Sequence, residues 1–234
     1  MQQPTLTSYL YPTQGYHPTS TTRVQIPPHL IESLNSCTTH LLYTLPPLLF
    51  VDKYELTNYQ NSYTFHHWGT SNLELPVFAV DQVDSLLLLN VKNECDVECE
   101  VKVPLHLRYG DPLVKSENRP AQQEAKLDWP TGFFACPPSV DIPVSSTQPL
   151  LPDEVLSLLT TNMTQGLKMI PIVPTAVNNN ESAQIVRVPV GDSAHIALVE
   201  FGTVTTIFLL FGYLIYVSQR TVMRLRTRER QKEE

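Results

Sequence analysis

Several side chains in this 234-residue sequence are of types that do acid–base or metal chemistry: the adjacent pair His66 and His67, His106 followed by Asp111, and the carboxylates Asp52, Asp81 and Asp84. Imidazole serves as a general base or metal ligand, and paired carboxylates hold a divalent cation for a sugar-nucleotide transferase. The spacing argues against both uses. Neighbouring histidines on a strand point to opposite faces, so His66 and His67 do not converge. Asp81 and Asp84 are three apart and form no tight Asp-x-Asp triplet. Neither GxGxxG nor GxxxxGK[ST] occurs, which disfavours a nucleotide enzyme. Cys95 and Cys99 are four apart and have no matching second pair, which disfavours zinc. The reading is therefore of no catalytic residue, no metal and no cofactor.

In ECEVKVPLHLRYGDP (Glu98 to Pro112) the apolar positions Val101, Val103, Leu105, Leu107 and Tyr109 alternate, the period of a half-buried β-strand. Lys102, His106 and Arg108 fall on the opposite face. Pro104 removes a ladder donor, which places the strand at a sheet edge. His106, Arg108 and Tyr109 are the candidate partner-contact residues, because arginine offers a planar fork of donors to an acidic loop. A solvated sheet face, with Arg108 paired internally to a residue such as Glu74, accounts for the pattern equally well.

The elements that must position these residues read as mainly β. Twenty prolines against eight glycines punctuate the chain and favour short strands over a helical bundle. From Leu41 onward the runs TLPPLLFVDKYEL and NLELPVFAVDQV read as extended. SLLLLNV (Ser85 to Val91) suits a strand buried on both faces, and IVRVPVG (Ile185 to Gly191) alternates again. A helix is expected at PDEVLSLLTTN, where Pro152 suits the first turn and Asp153 and Glu154 favour its N-terminus. Strands at this spacing suggest an antiparallel, sandwich-like β-domain. The segmentation is a poorly defined stretch at 1–26, a β-rich domain at 27–195, a membrane helix at 196–217 and a basic tail at 218–234.

The membrane helix rests on Phe201 to Val217, a run without charge that extends back to Ile196 if Glu200 is accepted. Those residues would span roughly 33 Å as a helix, enough for a bilayer core. Glu200 is read as marking where the span starts. The tail carries Arg220, Arg224, Arg226, Arg228, Arg230 and Lys232 against three glutamates, a net +3, which leaves −10 for the rest of a chain whose total is −7. The positive-inside rule puts such a tail in the cytosol and the large N-terminal part outside it. The acidic balance also argues against a general nucleic-acid binder. Asn162 and Asn180 open N-glycosylation triplets on the non-cytosolic side. Cys37, Cys95, Cys99 and Cys136 lie on the same side, an even set suited to two disulfides of undetermined pairing in an oxidising compartment. The first twenty residues have neither a basic nor an apolar leader region, so a preceding signal segment is expected.

LPPLLFVDKYEL, LELPV, VPLHLRYGDP, FFACPP and VPVG occur in this order ahead of one terminal span. Together they resemble the PIG-X family (phosphatidylinositol glycan biosynthesis class X) from about Pro27 to the membrane segment. The resemblance implies a protein of the endoplasmic reticulum membrane with a lumenal domain. It implies a non-catalytic partner stabilising the multi-spanning PIG-M-type subunit of GPI mannosyltransferase I, which adds the first mannose to the GPI precursor. Polyprenyl-phosphate sugar transferases of this pathway have many spans, which again speaks against catalysis by this chain. The alternative is a single-pass cell-surface adhesion or receptor ectodomain.

Overall fold

The computed structural model describes residues 3–70, 72–92, 97–113, 121–140, 149–161, 167–175 and 183–233. Its elements are β1 (Thr5–Tyr11), β2 (Thr19–Gln25), α1 (Pro28–Leu34), β3 (Thr38–Leu45), β4 (Leu49–Phe50), α2 (Lys53–Leu56), β5 (Tyr63–Trp68), β6 (Ser85–Val91), β7 (Glu98–Pro104), β8 (His106–Leu107), β9 (Gln122–Asp128), β10 (Thr131–Cys136), α3 (Asp153–Thr161), β11 (Lys168–Pro174), β12 (Ala183–Pro189) and α4 (Ile196–Glu233). The chain divides into two units, one of residues 1–111 and 122–190, the other of residues 112–121 and 191–234.

The first unit is mainly β. Eight strands form one sheet in the order β5-β6-β3-β10-β11-β1-β2-β7, and two-stranded ribbons pair β12 with β9 and β4 with β8. Among the described residues the strand pairings are antiparallel except for β1 with β11. The sandwich expectation is met by a large sheet covered on one face by the ribbons and on the other by a helix.

Alternation within the central strands makes this possible. On β3, Leu41, Tyr43 and Leu45 enter the main core, while Leu42 points to the opposite face. On β6, Leu87 and Leu89 do the first and Leu88 the second, as expected of a strand buried on both faces. β10 repeats the pattern, with Phe134 and Cys136 opposed to Phe133 and Ala135. The ribbon adds Ala125, Leu127, Val186 and Val188 to the main core, and α3 closes the other face with Val155 and Leu159. Each leucine, valine or phenylalanine among them, fully withdrawn from water, contributes about 1.5–3 kcal/mol. At Gly132, where β10 lies between its neighbours, a Cβ would stand 2.7 Å from Leu6 Cδ2 and 3.1 Å from Ile172 Cβ, so a side chain there would have to displace both.

Three sequence expectations change. Residues 1–26, read as poorly defined, carry β1 and β2, which are interior strands of the large sheet. Their threonines and serines hide the strand signal, because Ser8, Ser20 and Thr22 are buried and bond one another, with Thr22 Oγ1 2.8 Å from Tyr43 Oη. The extended run ending DKYEL turns into α2, because the Asp52 carboxylate accepts from the Tyr54 amide and starts a helix. NLELPVFAVDQV is a loop with one 3-10 turn, Val77–Ala79, and not a strand. The expected helix after Pro152 is present as α3, and β7 is an edge strand as Pro104 suggested.

The second unit contains α4, 38 residues long and about 57 Å at helical rise. Residues Ser193–Arg226 are long and apolar enough to cross a membrane. The helix continues without a break from the apolar run into the basic segment.

Candidate functional site

The site is built where the chain leaves the sheet edge after Pro104. The Leu105 amide donates to the Pro18 carbonyl and the Leu107 amide to Tyr16, while the Arg108 amide donates to Leu48. The segment is thus stitched between the β1–β2 turn and β4, where Phe50 pairs with His106. Val101, Val103, Leu105 and Leu107 are buried as the alternation predicts.

His106 is held from two sides. Its Nε2 lies 2.6 Å from Glu55 Oε2, on α2, and its Nδ1 lies 2.9 Å from Nδ1 of His17. The two Nδ1 atoms share one hydrogen bond, whose donor is set by the tautomers of the two rings. The Phe50 ring stacks on the imidazole, centroids 5.3 Å apart. Glu55 is oriented by the helix that Asp52 caps, so a local capping signal positions a partner 51 residues away.

Arg108 overturns its expected face. Strand pairing ends at Leu107, the two-residue period lapses, and the Arg108 side chain turns inward to 2% exposure while Tyr109 turns out to 71%. Arg108 Nη1 donates to the carbonyls of Asn72 at 2.6 Å and Leu75 at 2.9 Å, not to Glu74. The guanidinium lies over the Phe50 ring, and burial pushes its pKa below the usual value. Arg108 therefore offers no exposed fork to a partner; it holds the 72–84 loop. Tyr109 packs against Tyr16, whose hydroxyl donates to the Pro189 carbonyl at 2.6 Å. Burial, then the Tyr109 phenol, raises the Tyr16 pKa.

The other sequence candidates scatter. His66 is exposed beside Trp68, whereas His67 lies on the opposite face of β5, where burial and then Lys53 lower its pKa. Asp52 caps α2, and Asp81, Asp84 and Asp111 are exposed. Among the described residues no three His, Cys, Asp or Glu side chains are placed to hold a metal. Cys37 is bonded to Cys136, because Thr38 pairs with Ala135 across β3 and β10 and brings the flanking cysteines together. Cys99 is also in a disulfide. Cys95, Asn162 and Asn180 lie outside the described residues. His17, Glu55 and Phe50 escaped the sequence reading, since partners 51 to 89 residues apart leave no local spacing signal.

The described residues thus combine a β-rich domain with one helix that has the length and composition to cross a membrane. The chain belongs to the PIG-X / PBN1 family, whose model matches residues 13–218. Relatives include Protein pbn1 of Aspergillus oryzae, 35% identical over 150 residues, which cover 55% of this chain and 26% of that protein. Protein pbn1 of Emericella nidulans is 32% identical over 143 residues, 53% of this chain and 26% of the relative. Protein PBN1 of Debaryomyces hansenii is 28% identical over 122 residues, 52% and 25% respectively. The chain thus matches about a quarter of the length of these relatives.

Proposed function

We propose that this chain acts in GPI-anchor biosynthesis as a non-catalytic subunit of GPI mannosyltransferase I, stabilising the multi-spanning PIG-M-type catalytic subunit in the endoplasmic reticulum membrane. The observation that carries the reading is the family match over residues 13–218. The apolar helix supports membrane anchoring, and the Arg-rich segment after it supports a cytosolic tail with the β-domain in the lumen. The Cys37–Cys136 disulfide suits an oxidising lumen. The polar groups around His106 bond to one another, which supports a role in holding rather than reacting. Asn162 and Asn180 are glycan acceptors in this reading, and His106 and Tyr109 belong to the surface that meets the partner.

The test is a GPI-precursor lipid profile after depletion of the protein in its own cells. Accumulation of the glucosaminyl lipids that precede the first mannose is expected. A normal profile, with the protein at the cell surface bearing complex glycans, would instead favour an adhesion or receptor ectodomain.

A further inference from the structure

The 72–84 loop has the construction of a docking element. Its backbone is tied down from beneath: Arg108 Nη1 donates to Asn72 and Leu75, the Val77 amide donates to the Tyr109 carbonyl at 3.1 Å, and Gln82 Nε2 donates to Val77 and Val80. Val77 and Val80 point inward and are buried. Between them the 3-10 turn points Phe78 outward at 70% exposure, and the Val77 backbone bond ties the loop to the segment that carries Tyr109, exposed at 71% beside Tyr16. An aromatic side chain held exposed on a fixed backbone is the usual form of an interface anchor, since little conformational freedom remains to be lost on binding. Glu74, Asp81 and Asp84 are exposed within six residues of Phe78, and no lysine or arginine occurs between Gly69 and Val91. An anionic lipid surface would repel this rim; a protein pocket bordered by basic residues would match it.

We infer that Phe78 and Tyr109, with the acidic rim of Glu74, Asp81 and Asp84, form the surface that inserts into an apolar, basic-rimmed pocket of a partner protein. Arg108 is a positioning residue beneath it. The inference deepens the proposed function and rests on it for the partner's name, the catalytic subunit of GPI mannosyltransferase I. The surface itself rests on the loop geometry.

The experiment purifies the full chain from its own membranes and measures the catalytic subunit retained. The variants are Phe78→Asp with Tyr109→Asp, the reversal Glu74→Lys with Asp81→Lys and Asp84→Lys, and Leu150→Asp as an exposed control outside the loop. Each surface variant should lose the subunit at least tenfold, with protease resistance and the Cys37–Cys136 bond retained, while the control loses none. Full retention by both surface variants overturns the surface and leaves the proposed function standing. If the unaltered chain retrieves no catalytic subunit, the proposed function fails, and a benzophenone amino acid placed at position 78 decides the surface. A protein adduct abolished by the reversed rim supports it; adducts with lipid alone, or none, overturn it.

Discussion

Arg108 and Phe50 lie face to face, the guanidinium carbon 4.5 Å from the ring centroid, and the same guanidinium reaches the carbonyls of Asn72 and Leu75. One buried cation thus joins β4 to a loop that lacks ladder partners of its own. This arrangement explains why an irregular stretch of apolar and acidic residues keeps a defined shape.

Arg108→Lys should keep the charge and lose the planar fork and its stacking. A loss of about 1–3 kcal/mol is expected, the scale of hydrogen bonds to a charged group. Arg108→Glu should cost more than about 3 kcal/mol, because it buries a carboxylate against carbonyl oxygens. Thermal unfolding of the full chain in lipid nanodiscs measures the difference, and early cleavage between residues 72 and 84 under limited proteolysis locates it. Equal stability of the Glu variant would contradict the buried position.

Stability should fall on acidification through His40. Burial against Phe133 lowers its pKa from 6.5 to about 4, so the folded state resists a proton that the unfolded chain accepts. The stabilisation is complete above pH 6.5, declines as the pH falls towards 4 and levels off below it. A shift of that size corresponds to at most about 3 kcal/mol. His67 is displaced in the same direction and adds to the slope. His40→Gln should flatten the dependence of unfolding temperature on pH without abolishing it; an unchanged slope would remove His40 as its source.

The Cys37–Cys136 bond closes a loop with a sequence separation of 99. Removing it by Cys37→Ser with Cys136→Ser should cost about 2–5 kcal/mol, chiefly by freeing the unfolded chain. The two strands it joins remain paired through Thr38 and Ala135, so the fold should persist at lower stability. Circular dichroism with a denaturant titration, with and without reductant, checks both halves of this expectation.

Legibility followed the range of the interactions. SLLLLNV was recognisable as a doubly buried strand because its apolar residues are contiguous, and α3 because Pro152, Asp153 and Glu154 act within one turn. β1 and β2 were invisible because Ser8, Ser20 and Thr22 are buried by partners on neighbouring strands, and hydroxyls carry no apolar period. The alternation from Val101 correctly buried residues through Leu107 and then misplaced Arg108 and Tyr109, since it assumes a strand that the structure ends two residues earlier.

By itself the sequence determined the mainly β class, the apolar terminal helix with its basic flank, and the edge position of the strand bearing Pro104. Each follows from local periodicity, chain length or a missing amide donor. Only the tertiary structure decided that His106 meets His17 and Glu55, that Cys37 meets Cys136, and that Arg108 goes inside while Phe78 and Tyr109 stay out. Those outcomes depend on strand order and on where pairing stops. They are set by long-range burial and by the need to give buried backbone carbonyls a donor, and neither leaves a repeat in the chain.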